Sequence, residues 1–561
     1  MSQTSYQAAL PRDIKYLFIL TLIVSIVNTS NKNVSIWYNI LMFRKVKDWV
    51  KTHKTAFALI ITALFVLVHI PIAINHENWN DEAISYALSR EINLTNIYEI
   101  NDAEPHPLLW QLILAPFSKM GLPVDVMSFI SLTFVALAVF LFIRFAPMNF
   151  FIKLVFLLSN SFFYFAPIIS RDYSLIPLAI CLVCITYQKR HEKPFIYGLT
   201  VAFLTQTHFL MYGLAAALGF GFVIEEVFKK ETIKDMLKKI FFFALPVLLS
   251  LASVVPIVIN SYNNQAIISG KAYERTPEEY LDPFYPNVVL NYFGADSETY
   301  EIATIVVFVI FAIVLLSKSV RAAIYFIVGE GFWFYVMGNI YKGYDVLSPK
   351  AALITMIIMA SIWLASLEES KKNFMDLSEI VKLAKIYTKG KSYLVVGTLI
   401  ALLTIPHAVA FAVDDMNKPF SNAKDVASAI NEFEDGSLVI QADAASIIDT
   451  VTREHVTKNV IFYNYMLNKV EEPEDYLKYD NRIVGTYQEH ANITNEELES
   501  LISAASETYE HVYYFTASPH CSSLSKENVE ILNKYERLAV FNEDTEYLDL
   551  SRASVSLYKI K

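Results

Sequence analysis

The chain has 561 residues, of which 54% are hydrophobic and 18% charged, and its mean hydropathy is +0.38. This composition excludes a soluble multidomain protein and is typical of a polytopic α-helical membrane protein. From Asp414 onward there are 27 acidic and 13 basic residues, a net of −14 against −10 for the whole chain, so the preceding part carries +4. This asymmetry indicates two environments, and because no basic aromatic groove is evident we expect no nucleic-acid partner.

The N-terminal segment, residues 1–54, leaves two alternatives open. Its apolar stretch Ile14 to Val27 is short, but residues 14–30 together would form an extra membrane span and place the N-terminus outside. In the other alternative the true start is Met42, because Met42-Phe43-Arg44-Lys45 is a typical basic beginning of a membrane protein. A cleaved signal peptide is disfavoured, since no small-residue cleavage pattern follows the apolar stretch.

Eleven apolar stretches of roughly 17–25 residues closed by charges predict membrane spans between residues 55 and 413, or twelve with the N-terminal one. In chain order they are Thr55–Ile74, Asp125–Phe145, Phe150–Ile169, Tyr173–Tyr187, Phe195–Leu210, Met211–Val227, Ile240–Ile259, Ile302–Leu316, Ala322–Asn339, Ala351–Leu367 and Tyr393–Val413. Leu108 to Met120 is apolar but short and contains Pro116. We expect it to form an interfacial or re-entrant helix.

Basic residues cluster before the first predicted span and after the fourth, sixth, eighth and tenth. If eleven spans alternate, all these loops lie on one side, which the positive-inside rule makes the cytoplasmic side. The loops that begin at Asp81 and at Arg171 and the acidic tail then face the extracytoplasmic side. The sequence therefore predicts a multi-pass protein of the plasma membrane whose polar loops and C-terminal domain are extracytoplasmic.

In residues 414–561 short strand patterns alternate with helical patterns, which predicts a small extracytoplasmic α/β domain. The helical patterns are Ser421–Phe433, Asn495–Thr508 and Leu524–Tyr535, and the strand patterns are Ser437–Ile440, Asn459–Tyr463, Arg482–Val484, His511–Thr516 and Leu538–Phe541. No Gly-rich phosphate loop accompanies them, so a Rossmann nucleotide site is not supported. Cys181 and Cys184 lie in an apolar helix and favour packing over metal binding, and Cys521 stands alone, so no disulfide framework is predicted.

Three polar motifs fall on the predicted extracytoplasmic side. Asn80-Asp81-Glu82-Ala83 follows the first span, His106-Pro107 closes the first loop, and Ser170-Arg171-Asp172-Tyr173 joins the third and fourth spans. Adjacent carboxylates at a bilayer surface are either interfacial charges at a helix start or groups used in chemistry. The Arg171 guanidinium either forms a plain interfacial ion pair with the adjacent Asp172 or holds a phosphate, a group that its planar fork suits.

Further candidates for contact with a substrate lie at other span ends on the same side. His208 ends the fifth predicted span, and Lys342, Tyr344 and Lys350 surround Pro349 before the tenth. A histidine in this position is more often a hydrogen-bonding partner within the helix packing than a ligand of the substrate. The same two interpretations apply to the cluster around Pro349.

The first-loop Asn-Asp-Glu-Ala, the His-Pro-Leu-Leu-Trp that closes this loop and the Arg-Asp-Tyr between spans three and four resemble the GT-C glycosyltransferases. The resemblance covers roughly residues 55–412 and is to the branch of the protein O-mannosyltransferases and lipid A aminoarabinose transferases. It implies that Asp81 is the catalytic carboxylate with Glu82 beside it, that Asp172 is the second-loop acid, and that Arg171 holds phosphate. The chain departs from the family pattern in lacking a second Pro after His106-Pro107-Leu108, and in having Lys342-Gly343-Tyr344 where the family has an Arg-Tyr pair.

The resemblance implies a membrane glycosyltransferase that moves a hexosyl or pentosyl group from a polyprenyl-phosphate donor to an extracytoplasmic glycan, wall polymer, lipid or protein. Arg171, His106, Tyr173, His208, Lys342, Tyr344 and Lys350 are then the candidates for substrate binding. No cofactor is certain, and a divalent metal would find its candidate ligands in Asp81 and Asp172. A transporter or flippase for a lipid-linked or polar substrate is the alternative, and a non-catalytic anchor presenting the acidic tail is a third interpretation.

Overall fold

The computed structural model describes residues 49–50, 52–93, 95, 97–98, 106–229, 231–269, 298–339, 349–368, 391–417, 423–441, 447–464, 469–470, 494–517, 530–541 and 555–561. The chain divides into two compact units, Met1–Ile60 and Ile61–Lys561. In the first unit, Trp49 stacks on His53 with ring centroids 5.2 Å apart. The N-terminal stretch predicted as a span, residues 14–30, lies outside the described residues.

Helices make up nearly all of the described chain before residue 418. They are α1 Lys54–Asn75, α2 Asn80–Glu91, α3 Leu109–Lys119, α4 Val126–Phe145, α5 Phe150–Leu158, α6 Ala166–Ile168, α7 Ile176–Tyr187, α8 Pro194–Thr205, α9 Tyr212–Phe228, α10 Ile233–Ser269, α11 Glu298–Lys318, α12 Val320–Asn339, α13 Pro349–Leu367, α14 Ser392–Leu403 and α15 Ile405–Asn417. A π-helical turn, Ser161–Phe165, precedes α6, and 3₁₀ turns at Asp172–Leu175 and Phe209–Met211 precede α7 and α9.

Five stretches of the described helices are long and apolar enough to cross a membrane, or six if the pair bent by 61° over residues 150–168 is one span. Four shorter apolar helices accompany them, Asp172–Tyr187, Pro194–Thr205, Val306–Lys318 and Ala352–Leu367. Eleven spans were predicted, and within the described residues five or six stretches meet the length and hydropathy requirement for crossing a membrane. The expected class, a mostly helical multi-pass membrane protein, is confirmed.

Glycines allow the closest helix contacts of the bundle. A Cβ atom at Gly198 in α8 would collide with the Phe243 carbonyl oxygen of α10, and one at Gly213 in α9 would collide with Phe332 of α12. Helices in a bilayer associate largely through such close backbone packing. The pairs α8–α10 and α9–α12 are accordingly among the most extensive helix contacts.

A buried ionic cluster joins several helices at the end of the bundle away from Asp172, since α7 runs from one polar end to the other. Glu225 lies 2.8 Å from Arg190, 3.0 Å from His191 and 2.7 Å from Arg321, and Arg321 also lies 3.3 Å from Glu368. These residues lie at the ends of α7, α9, α12 and α13, which adjoin the loops after the fourth, sixth, eighth and tenth predicted spans. The structure thus brings the ends of these four helices together.

The C-terminal part forms a six-stranded sheet of order β3-β2-β1-β4-β6-β5. Its strands are β1 Leu438–Gln441, β2 Ile461–Asn464, β3 Lys469–Val470, β4 Val512–Ala517, β5 Glu536–Phe541 and β6 Val555–Lys559, with helices α16 Ala423–Ile430, α17 Ile447–His455 and α18 Asn495–Thr508. The strands β2, β1 and β4 are parallel, and the other pairs are antiparallel. The predicted α/β architecture is therefore confirmed.

Side chains of β1 alternate between two apolar layers of the C-terminal domain. Val439 packs with α16 and α17 on one face, and Leu438 and Ile440 pack with α18 on the other. This alternation follows from the two-residue period of a strand and explains the short apolar run of β1. The predicted strand Arg482–Val484 and the first half of the predicted helix Leu524–Tyr535, residues 524–529, lie outside the described residues.

The C-terminal domain packs directly on α2. Ala83, fully buried, belongs to the same apolar cluster as Val426, Phe433 and Tyr513. An Arg90–Glu454 ion pair lies further along α2. The helix that carries Asp81 is therefore held between the helical bundle and the C-terminal domain.

Candidate active site

The first site element is the N-terminus of α2. The chain is extended at Trp79, and the Trp79 backbone N–H donates to the Glu82 carboxylate at 2.7 Å. Two acids in the first turn, Asp81 and Glu82, complement the positive end of the helix dipole. Local chemistry therefore explains why the helix begins at this motif.

Asp81 and Glu82 face different environments although they are neighbours. The Asp81 side chain is 42% exposed, whereas the Glu82 side chain is fully buried. Glu82 accepts hydrogen bonds from the backbone N–H groups of Trp79 and Ser170 and contacts His76 Nε2 at 3.1 Å. Of the two carboxylates predicted to be catalytic in this motif, Asp81 is thus the one that solvent and a substrate can reach.

Arg171 forms the second site element. Its side chain is 4% exposed, and its Nη1 lies 2.5 Å from Asp81 Oδ2. The sequence interpretation considered a pair with the adjacent Asp172, but the ion pair joins Arg171 to the first loop. Arg171 has extended backbone angles, φ −122° and ψ −178°, before the 3₁₀ turn that starts at Asp172.

Asp172 lies in a pocket of aromatic and imidazole rings. His106 Nδ1 is 3.8 Å from its carboxylate, and the rings of His106 and His208 are 4.8 Å apart. Tyr173 stacks on His208 with ring centroids 5.1 Å apart, and Phe209 stacks on both histidines. The first loop, the second loop and the turn before α9 therefore converge on one buried carboxylate.

Burial and the charges around this pocket favour the neutral form of both histidines. Burial, with Arg171 and Lys350 nearby, lowers the pKa of His106 well below its usual value. The pKa of His208 is lowered well below its usual value by burial and by the proximity of His106, Lys350 and Arg171. Burial also lowers the pKa of Lys350 to about 8, with Asp81 and Asp172 acting in the opposite direction. The basic side chains Arg171 and Lys350 thus lie within electrostatic range of the acidic side chains Asp81 and Asp172.

His106, Asp172 and His208 meet the distance requirement for a divalent metal, because their ligand atoms lie within 4.8 Å of one another. The tautomer of His208 does not fit this role. Its Nδ1 accepts a hydrogen bond from the Leu210 backbone N–H at 3.1 Å, so the proton of the neutral ring is on Nε2. The ring therefore offers an N–H donor rather than a lone pair at the pocket. These residues fit the binding of an anionic or hydroxyl group better than the binding of a metal.

Comparison with known proteins gives a distant structural likeness. The chain is similar to two cryo-EM structures of the arabinofuranosyltransferase AftD from mycobacteria, one of them a mutant, at 11% and 12% sequence identity. Each overlay has a TM-score of 0.40 and covers 90% of this chain, but only 40% or 41% of the AftD chain. This chain thus spans less than half the length of that protein. No protein-family model and no curated protein sequence matches it.

A likeness at this level does not define an activity, so the site must be judged on its own residues. The structure brings together most of the residues predicted from sequence, namely Asp81, His106, Arg171, Asp172, Tyr173 and His208, with Lys350 within electrostatic range. The predicted contacts Lys342 and Tyr344 lie outside the described residues. The sequence interpretation missed His76, Ser170 and Asp415, whose contacts with Glu82 and with one another carry no local signal.

Proposed function

We propose that this protein is a membrane glycosyltransferase that moves a sugar from a polyprenyl-phosphate donor to a hydroxyl group of an acceptor at the membrane surface. The observation that carries the proposal is the Asp81–Arg171 pair, in which an accessible carboxylate is held against a buried guanidinium. Sugar transfer from a phosphate needs both groups, a base for the entering hydroxyl and a cation for the leaving phosphate. Asp172, the residue after Arg171, contacts His106, and His106 contacts His208, so these three side chains add a polar pocket to the site.

The proposed reaction is a single displacement at the anomeric carbon. The acceptor oxygen forms a bond to this carbon while the bond to the phosphate oxygen breaks. The hydroxyl proton passes to the Asp81 carboxylate, and the electron pair leaves with the polyprenyl phosphate. Arg171 and Lys350 supply positive charge to the leaving phosphate, for which the fork of a guanidinium is well suited. No nucleotide takes part.

The ion pair suggests how donor binding would activate the base. Without donor, Asp81 is neutralised by Arg171 at 2.5 Å. A donor phosphate would compete for the guanidinium and release the carboxylate for the acceptor hydroxyl. The base would then act only when the leaving group is already in place, which disfavours side reactions with water.

The membrane setting completes the proposal. We infer that residues 55–413 form the catalytic domain and that residues 414–561 form an extracytoplasmic α/β domain over α2. The helix ends around Glu225 adjoin the basic loops and would be cytoplasmic under the positive-inside rule, so the Asp81–Arg171 end would face the other side. The polyprenyl tail can then remain in the bilayer while its phosphate reaches the site.

A transporter or flippase is the alternative, and one observation favours it. Glu330, in α12, is 3% exposed and its carboxyl oxygens have no hydrogen-bond partner among the described residues. Carboxyl groups inside a bundle are common in transport pathways. If the protein is a transporter, Glu330→Gln should abolish transport while Asp81→Asn leaves it intact. If it is a transferase, Asp81→Asn should abolish sugar transfer while Glu330→Gln leaves it intact.

Binding of undecaprenyl phosphate to the purified protein in nanodiscs, measured by native mass spectrometry, tests the donor class. We expect saturable binding that is lost with undecaprenol, which has the same chain but no phosphate. Equal binding of both lipids would contradict the proposal. Comparison of the lipid-linked and surface glycans of cells with and without the gene would then identify the sugar and the acceptor.

A further inference from the structure

Three buried side chains outside the Asp81–Arg171 pair form a continuous ionic chain. His76, which follows α1, contacts Asp415 through Nδ1 at 3.0 Å and Glu82 through Nε2 at 3.1 Å. All three side chains are at most 1% exposed. Both ring nitrogens thus face carboxylate oxygens, and only the imidazolium form can donate a hydrogen bond on both sides.

Glu82 connects this chain to the candidate active site. It accepts a hydrogen bond from the Ser170 backbone N–H, and Ser170 directly precedes Arg171. Asp81, which directly precedes Glu82, forms the ion pair with Arg171. Two neighbouring residues of α2 therefore bind two neighbouring residues of the second loop, and the inner of these two links depends on the orientation of Glu82.

Asp415 connects the same imidazole to the end of α15, the helix that leads into the C-terminal domain. We propose that His76 is a positioning residue, an imidazolium that fixes Glu82 and Asp415 and thereby holds the Asp81–Arg171 pair in register. The role in transfer rests on the function proposed above, whereas the charge state and the positioning of the second loop do not.

The electrostatic surroundings support a charged ring at neutral pH. Burial opposes the charge, but attraction to Asp415 and Glu82 outweighs it and raises the pKa of His76 well above its usual value. Because this pKa is raised on folding, the stabilising contribution is complete below pH 6.5 and is lost only as the pH rises through the raised value. Asp415 and Glu82 are the charged groups that the structure shows against the ring.

A neutral hydrogen-bonding role is the competing explanation, and the charge state separates the two. NMR of the protein with ¹⁵N-labelled histidine at pH 7.5 should give an imidazolium signal for His76, although an ordinary histidine is neutral at that pH. The signal is assigned by its absence in His76→Gln. If that variant does not accumulate, Asp415→Asn provides the assignment, since it should shift this signal selectively. A neutral His76 ring at pH 7.5 overturns the proposal.

Hydrogen exchange tests the positioning role without any assay of transfer. In His76→Gln, or in Asp415→Asn if needed, we expect amide exchange in peptides covering residues 79–91 and 168–175 to rise at least tenfold. The control His53→Gln changes an exposed histidine and should leave these peptides unchanged. Unchanged exchange in the variants overturns the positioning role.

Transfer measured in the same variants links positioning to catalysis. We expect kcat to fall at least tenfold while the KM for the donor changes less than threefold, because the phosphate-binding group itself remains. His76→Lys, which restores one cation, should recover part of the exchange protection. If the NMR and exchange results hold but wild-type protein does not bind undecaprenyl phosphate, the proposed function fails and the positioning role stands.

Discussion

Replacement of Arg171 by alanine is the most direct test of the site. In the free protein, the Arg171–Asp81 pair has one exposed partner, because 42% of the Asp81 side chain is accessible to solvent. Exposed ion pairs contribute at most about 1 kcal/mol to the free energy of unfolding. We therefore expect Arg171→Ala to accumulate and to unfold close to the wild-type temperature.

Donor binding should respond much more strongly than stability. Arg171 itself is 4% exposed, so a phosphate bound to it is largely removed from water. Truncating one member of a buried, hydrogen-bonded charge pair costs about 2–5 kcal/mol, which is roughly a 30- to 4,000-fold loss of affinity. Arg171→Lys should recover only part of this loss, because an ammonium lacks the bidentate fork.

Titration with undecaprenyl phosphate in nanodiscs, with undecaprenol as the control, measures the effect. The penalty of Arg171→Ala should persist in both Asp81→Asn and Asp172→Asn backgrounds if the guanidinium binds phosphate. A purely structural Arg171 would lose its effect once Asp81 is removed. If the affinity of Arg171→Ala for undecaprenyl phosphate is within twofold of wild type, Arg171 does not bind the phosphate, and Lys350 becomes the candidate for this role.

Four further outcomes are expected. Asp81→Asn should lower kcat/KM by about 10²-fold or more with normal yield, and near-normal turnover of the purified variant would rule out the base. Since the pKa of Lys350 is about 8, donor affinity should fall as the pH rises through that value. Lys350→Met should remove this pH dependence, and a pH profile of donor affinity like that of the wild type would contradict the role of Lys350. Ala83→Leu overpacks a fully buried position and should destabilise the C-terminal domain by about 1–3 kcal/mol in thermal unfolding. A thermal unfolding transition equal to that of the wild type would contradict this prediction. Reporter fusions after Val413 and at Lys234 should be active outside and inside the cytoplasm respectively, and the opposite pattern would place Asp81 in the cytosol.

The fold class and the motifs of the candidate site could be read from the sequence because their signals are local. The length of the apolar stretches and the basic loops between them predict the helical bundle, and the strand pattern Ser437–Ile440 agrees with β1. Asn495–Thr508 agrees in full with α18 because a capping box marks its start. The bend of 61° after α5 could not be read in the same way, since composition does not reveal it.

The connections within the site depend on distant residues and could not be predicted. His76 and Asp415 are 339 positions apart, and no pattern in either segment points to the other. Arg171 and Asp172 are adjacent in sequence and suggest a pair, whereas the structure shows an ion pair between Arg171 and Asp81 of the first loop. The sequence thus named both residues of this pair but gave no signal that they are partners.

The burial of Ala83 in the apolar cluster of the C-terminal domain has a consequence for the order in which the protein is made. The residues that cover Ala83 include Leu557, which is synthesised long after α2. Until the C-terminal domain has been made and has folded, α2 lacks one of its two supports. The site around Asp81 would therefore be completed only after that domain has folded.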